Sequence, residues 1–201
     1  AGTKTTNNTG CALLIPPNMP KAHNEKVVYS RADGKALGVH MTWMGRKLLV
    51  LVTHAYAGGE DEMKEAFFES VLEELHEAYR RPEVDGVLGE RECIWMSDDN
   101  YVDDRARDVV PAGEGKVHER AKDAAQDLAR AVRAPVDVYR WANPAGTATT
   151  FGKEGERKRR LDKIRVSHSL LQGERSFVAA THLHPSTSRV LYTKAKGPGE
   201  W

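Results

Sequence analysis

The sequence predicts an α/β fold in layers: two mixed β-sheets packed as a sandwich, with helices outside. Three observations carry this reading. Four apolar segments near the start of the chain follow one another through tight turns, as strands of antiparallel or mixed sheets do. One of them holds Leu48, Leu49, Val50, Leu51 and Val52 in succession, and a continuous run of that kind belongs in a strand buried on both faces. Two amphipathic helical patterns then interrupt further strand-like segments, which places helices over the sheets.

The elements follow in order. Residues 1–10 are polar. Residues 11–15 read as a short strand stopped by Pro16 and Pro17. Residues 26–30 and 36–43 read as strands around Asp33-Gly34, a strong hairpin signal. Met44-Gly45-Arg46 marks a second turn, and residues 47–54 form the central strand. Residues 60–81 are the clearest helix. Met63, Phe67, Val71, Leu75 and Ala78 share one face, widened by Phe68, Leu72 and Tyr79. Acids crowd its first turn, Arg80 and Arg81 its last, and Pro82 ends it. A strand over 94–96 follows, then an irregular charged stretch over 101–115. A second helix over 116–133 turns Val117, Ala121, Ala124, Leu128 and Val132 inward. Residues 136–139 read as a strand or turn, 143–146 as a turn, and 148–151 as a strand. Residues 161–167, 177–181 and 190–193 read as the closing strands. A domain over 1–193 is expected, with 194–201 as a linker. The polar start running straight into an apolar strand suggests a fragment of a longer protein, whose missing strands would leave one sheet edge open.

Composition excludes more than it selects. In 201 residues, 30 Lys and Arg stand against 29 Asp and Glu, so net charge points to no partner. The two cysteines, Cys11 and Cys93, are too few for a disulfide framework and fit a reducing, intracellular compartment. No apolar run approaches the roughly 18 residues that span a membrane.

The stretch from Cys93 to Tyr101 bears most directly on function. The apolar run Ile94-Trp95-Met96 ends in Ser97-Asp98-Asp99-Asn100. A buried strand that stops at carboxylates delivers them to the rim of a sheet, where ligands bind in α/β folds. Oxygen ligands of this type suit a hard cation such as Mg²⁺. The competing reading is a strand followed by a polar turn, since Asp and Asn favour turns for local reasons. Two more polar groups come at comparable places: His54 ends the central strand, and Asp162 lies in the alternating strand after a basic loop.

These segments resemble the endonuclease/exonuclease/phosphatase superfamily, and most closely the endonuclease domains of non-LTR retrotransposons. Val52-Thr53-His54-Ala55 resembles the strand that ends in a catalytic His or Tyr. Ser97-Asp98-Asp99-Asn100 resembles the Gly-Asp-x-Asn motif, with Ser97 in place of Gly. Asp137-Val138-Tyr139-Arg140 with Asn143-Pro144 resembles an Asp-x-Tyr-Arg…Pro segment. Thr149-Thr150-Phe151 resembles a Tyr-Thr-Phe strand, and Arg160-Leu161-Asp162-Lys163-Ile164 an Arg-Ile-Asp-x-Ile strand. Gly197-Pro198-Gly199-Glu200-Trp201 resembles the Gly-x-Gly-x-Trp linker that follows such domains. Each motif is short; their order and spacing over most of the chain carry the resemblance.

The resemblance implies a Mg²⁺- or Mn²⁺-dependent phosphodiesterase acting on DNA. Asp98 would orient a water or hold the metal. Asn100 would hold the metal, a phosphate oxygen or the nucleophile. His54 would serve as acid or phosphate contact. Asp162 would orient a histidine or the metal shell. A local hydrogen bond for His54, and an ion pair with Arg160 or Lys163 for Asp162, are the structural alternatives. Thr150, Arg157, Lys158, Arg159 and Arg160 would contact nucleic acid. Lys153, Lys163 and Arg165 extend that basic hairpin, tempered by Glu154 and Glu156. A reverse transcriptase region would follow in the parent protein, and the setting would be nuclear.

The departures matter equally. No Asn strand and no Gln-Glu motif precedes Cys11, so the main metal carboxylate of the family is missing from this sequence. Before the last strand the family carries Ser-Asp-His. Here Ser188 is followed directly by Arg189-Val190-Leu191, and neither His182 nor His184 is expected to substitute. Impaired catalysis is therefore expected. Two alternatives compete with a nuclease: a relative that binds nucleic acid without cutting, and a phosphatase or phosphodiesterase acting on small phosphoesters.

Overall fold

The computed structural model describes residues 11–14, 22–58, 60–110, 118–146, 149–150, 158–171, 177–183 and 189–195. Strands β1 (Ala22–Ser30), β2 (Ala36–Trp43) and β3 (Arg46–His54) form an antiparallel meander. Asp33 shapes the first turn: its Oδ1 accepts from Lys35 N at 3.0 Å, while Gly34 at φ 73° supplies the left-handed backbone. Helix α1 (Asp61–Tyr79) then carries the chain back along the sheet. That crossover makes β4 (Glu92–Asp98) parallel to β3, in unbroken register from Leu48↔Glu92 to His54↔Asp98. Beyond it come α2 (Arg105–Asp108), β5 (Val109–Val110), α3 (Glu119–Ala131), β6 (Val136–Asp137), α4 (Val138–Ala142), β7 (Lys158–Arg159) and β8 (Asp162–Val166).

The main sheet is mixed and six-stranded, in the order β1-β2-β3-β4-β8-β6. Its antiparallel β8 pairs with β4 from Asp98↔Asp162 to Ile94↔Val166. Strands β9 (Phe177–Leu183) and β10 (Arg189–Ala195) form a second, two-stranded antiparallel sheet, and β5 pairs with β7 in another. The α/β class, mixed sheet and helices outside match the expectation from sequence. Among the described residues β1 is an edge strand, with two register irregularities and Val27 60% exposed.

Two apolar clusters occupy the two faces of the sheet. On one face Leu49, Leu51, Cys93 and Trp95 pack under Phe67, Phe68, Val71 and Leu75 of α1 and under Ala121, Ala125 and Leu128 of α3. The small residues on α3 let it lie close to α1. On the other face Leu48, Val50, Ile94, Ile164 and Val166 pack with Met41, Trp43, Val138, Leu170 and Leu171. The run Leu48–Val52 thus divides between the faces by strand alternation, as a central strand must.

Several local expectations are corrected. Residues 11–14 are not a strand, although Cys11 N donates to Gly34 O at 2.6 Å. Met63 is half exposed and Lys64 is buried in its place, because the start of α1 meets the start of α3 rather than the sheet. There Asp61 accepts from Arg120 N and Ala121 N, at 3.2 and 3.0 Å, and so caps α3 instead of its own helix. Residues 136–139 divide into β6 and the start of α4, where Asp137 caps α4 by accepting from Arg140 N at 3.2 Å. Of the strand expected over 148–151, the described Thr149 and Thr150 are not in a strand.

Candidate active site

The parallel pairing of β3 with β4 brings the C-terminal ends of both strands to one rim of the sheet, and the antiparallel β8 begins at the same rim. His54, Asp98 and Asp162 are consecutive register partners across these three strands. All three share a face. His54 follows the alternation of Leu48 and Val50, Asp98 that of Ile94, and Asp162 that of Ile164 and Val166. The row therefore projects on the face opposite α1 and α3. The His54 Nε2 lies 3.8 Å from Asp98 Oδ2, and both side chains are about 30% exposed, at 30% and 28%, so the rim is open to a ligand.

The Asp98 carboxyl titrates above its ordinary range. Burial is the largest cause and the facing Asp162 carboxylate the next; His54 and the Asn100 backbone N–H pull the other way. Two carboxylates set against each other at a rim form a donor set whose repulsion a cation relieves. A hard cation such as Mg²⁺ commonly takes one or two carboxylates and completes its shell with water and phosphate oxygens. Asp98 and Asp162 fit that pattern. Among the described residues no group of three or more His, Cys, Asp or Glu side chains is arranged to hold a metal ion.

Asn100 is placed with the row, but part of its amide is already engaged. Its backbone is left-handed at φ 52°, a conformation Asn tolerates better than most residues. Its Nδ2 donates to Ala55 O at 2.7 Å, and its backbone N donates to Asp98 Oδ1 at 3.2 Å. Asn100 therefore ties the end of β3 to the loop after β4, leaving its carbonyl oxygen and second amide hydrogen for other partners. Ala55 N donating to Asp98 O at 2.9 Å closes the same junction.

The residues assigned to nucleic acid by sequence divide sharply. Thr150 is 4% exposed, and its Oγ1 accepts from Leu161 N and Asp162 N at 2.9 and 3.0 Å. It positions the start of β8 and does not face a ligand. Arg160 is also buried: Nε donates to Asp108 Oδ1 and Nη2 to Asp137 Oδ2, both at 2.8 Å, and Arg140 also pairs with Asp108. These two assignments are therefore corrected to structural roles. Lys163 and Arg165 leave the basic surface as well, since both are buried on the helix face of β8. Arg159 is exposed; Lys158 is described as strand backbone, and Arg157 lies outside the described residues.

Sequence reasoning missed the partners of these buried cations. Asp99 is fully buried and receives Lys163 Nζ at 2.8 Å and Arg165 Nη2 at 2.6 Å. Burial opposes its ionisation, but Arg165 and Lys163 hold its carboxyl well below the usual carboxylate range. The available signal was alternation. Lys163 and Arg165 stand on one face of β8 with Ile164 and Val166 on the other, a pattern that reads as polar-outward unless helices cover the polar face. A separate cleft of about 620 Å³ lies at the opposite end of β3 and β4, lined by residues that include Arg46, Asp85, Arg91 and Glu92. Its charges pair with one another, Arg46 with Glu92 at 2.7 Å and Arg91 with Asp85 at 3.0 Å, so it is not read as the site.

No protein-family model matches the chain, and no curated protein matches it. Solved structures do. The Neisseria 3′ phosphatase NExo, in a variant form bound to product DNA hairpin, is similar with 16% identity over 90% of this chain and 71% of its own, at a TM-score of 0.55. The two chains share a fold. The human Nocturnin catalytic domain matches at 17% identity over 88% of this chain and 60% of its own, with a TM-score of 0.46. An endonuclease/exonuclease/phosphatase family protein from Bacteroides thetaiotaomicron matches at 12% identity over 89% and 62%, with a TM-score of 0.41. The chain thus spans less than two thirds of the length of several structures it matches. Among the described residues no helix is long and apolar enough to cross a membrane.

Proposed function

We propose that this chain is a DNA-directed phosphodiesterase-type domain of the retrotransposon endonuclease kind, acting in the nucleus with Mg²⁺ or Mn²⁺, and impaired in cleavage as a 201-residue chain. The observation that carries the reading is the row His54–Asp98–Asp162, three register partners on one face at one rim. The fold shared with NExo supports a phosphoester as the ligand, since NExo is a 3′ phosphatase bound to product DNA hairpin.

In this reading Asp98 and Asp162 hold the cation, with the carbonyl oxygen of Asn100 beside them. When bound, the cation supplies positive charge next to the phosphate. His54, 3.8 Å from Asp98, would donate a hydrogen bond to a phosphate oxygen. Exposed Arg159, with Arg157 and Lys158, meets the DNA backbone without reading sequence. The impairment rests on the Asp-His pair missing after Ser188, which removes a phosphate contact and its orienting partner. Loss of one such donor costs on the order of 10²–10³ in rate.

Fluorescence anisotropy with duplex DNA and a supercoiled-plasmid nicking assay test the proposal together. We expect salt-sensitive binding that Arg157→Ala with Arg159→Ala weakens for all sequences alike, and no Mg²⁺-dependent nicking. Absence of binding at low salt overturns the DNA reading. Robust nicking that disappears in Asp98→Ala overturns the impairment. Turnover of a small phosphomonoester without DNA binding transfers the site to the phosphatase alternative.

A further inference from the structure

The rim row sets up a mechanical problem. Asp98 and Asp162 are direct partners at the last rung of the β4–β8 ladder, on the same face, so their charges push the two strand ends apart. Backbone bonds hold the ladder end, with Thr150 Oγ1 accepting from Leu161 N and Asp162 N. One rung beyond, Asp99 N donates to Leu161 O at 3.0 Å, and the chain then turns away at Asn100.

The other face of the same two strands carries the opposite arrangement. Asp99 sits next to Asp98 but points to the helix side, where it meets Lys163 and Arg165 of β8. Lys163 Nζ lies 2.8 Å from Asp99 Oδ2 and 3.0 Å from Asp103 Oδ2. Arg165 donates to Asp99 Oδ2 at 2.6 Å, to Ser97 Oγ at 3.0 Å and to the Tyr101 hydroxyl at 3.2 Å. The cations also lie against aromatic faces, Lys163 at 3.9 Å from the Tyr101 ring centre and Arg165 at 4.4 Å from that of Trp95. Lys163 and Asp99 are wholly buried, at 0% exposure for both side chains. Such a cluster is a poor way to gain stability, because apolar residues of similar volume often do as well or better. It is suited to joining one strand to its neighbour with direction and fixed distance.

We propose that Asp99, Lys163 and Arg165 are positioning residues: a buried electrostatic clamp that holds the ends of β4 and β8 together against the repulsion of Asp98 and Asp162. The clamp keeps the two rim carboxylates facing each other across the last rung of the β4–β8 ladder. This inference rests on the reading of the rim as a carboxylate pair.

Native-state amide hydrogen exchange tests it, because local opening of the strand ends is read separately from global unfolding. Asp99→Asn should raise exchange at the Asp99 amide by roughly tenfold or more, the scale set by losing a charge-assisted bond, while core amides of α1 such as that of Leu75 keep their protection. Adding Asp162→Asn should return the Asp99 amide towards the parent rate, because the repulsion is then gone. Should Asp99→Asn fail to fold, Lys163→Met, which leaves Arg165 on Asp99, takes its place in the same comparison. Equal acceleration at rim and core, unmoved by Asp162→Asn, overturns the clamp. Titration of the parent with Mn²⁺ separates the two readings. Rescue by Asp162→Asn without Mn²⁺ binding keeps the clamp and removes the cation site, whereas Mn²⁺ binding without rescue does the reverse.

Discussion

Replacing Arg160 by Met should unfold this protein far more readily than it disturbs any ligand. The guanidinium is held by two carboxylates, Asp108 and Asp137, at 2.8 Å each, with its side chain only 3% exposed and that of Asp108 fully buried. Methionine fills a similar volume but leaves Asp108 with Arg140 and the Asp104 backbone N–H, and Asp137 with the Arg140 backbone N–H. Removing one partner of a buried pair costs about 3–5 kcal/mol, and here Asp108 loses one of its two cations while Asp137 loses the Arg160 guanidinium. That is a large part of the roughly 5–15 kcal/mol by which a domain is stable. At about 2–4 °C per kcal/mol for a chain of this size, the melting temperature should fall by about 6–20 °C. Arg159, exposed on the neighbouring position, provides the control: Arg159→Ala should change stability by less than about 0.5 kcal/mol. Scanning calorimetry and DNA anisotropy on both variants decide the matter. A melting temperature within about 2 °C of the parent for Arg160→Met, together with weaker DNA binding and a flatter salt slope, would refute the buried-network reasoning. It would restore Arg160 to the DNA-contacting surface.

Two further outcomes follow from the rim. Asp98→Asn should stabilise the fold by about 0.5–2 kcal/mol at neutral pH, as replacement of a group kept for function often does. The sign with pH follows from its raised carboxyl: the favourable contribution of protonated Asp98 is complete below the unfolded carboxyl value and is lost as pH rises through the folded one. The gap between variant and parent in urea midpoint should therefore widen from about pH 3 upward, and a constant gap contradicts the shift. Asn100→Ala should cost about 1.5–3 kcal/mol, by losing the bond to Ala55 O and by forcing alanine to φ 52°. Asn100→Gly, which accepts that φ freely, should cost only about 1 kcal/mol. Equal losses in urea denaturation would remove the backbone argument.

The fold was legible wherever one residue pattern had one physical solution. The five apolar residues from Leu48 to Val52 admit only a central strand, and β3 is one. The Phe67–Val71–Leu75–Ala78 stripe admits only a helix lying on a sheet. Its first turn was misread because Met63 and Lys64 lie where α1 meets α3, and contact between two helices cannot be seen in the periodicity of either. The rim was legible because carboxylates and a histidine at strand ends are meaningful once strand order is guessed. The basic hairpin was not. Arg160, Lys163 and Arg165 look like solvated charge in sequence, and only their distant partners Asp99, Asp108 and Asp137 make them interior. Pairing over such separations leaves no local signature. The same holds for Thr150, whose hydroxyl is committed to the backbone of β8 from eleven and twelve residues away.

The central claim is that His54, Asp98 and Asp162 form one rim that holds a divalent cation beside a phosphoester. Mn²⁺ added in small steps to ¹⁵N-labelled protein, read as paramagnetic broadening of amide resonances, tests it without requiring catalysis. Broadening should begin at residues 54–55, 98–100 and 161–162, and should disappear in Asp98→Asn with Asp162→Asn. Broadening that starts instead along the acidic surface of α1, or that persists in the double variant, would contradict the claim.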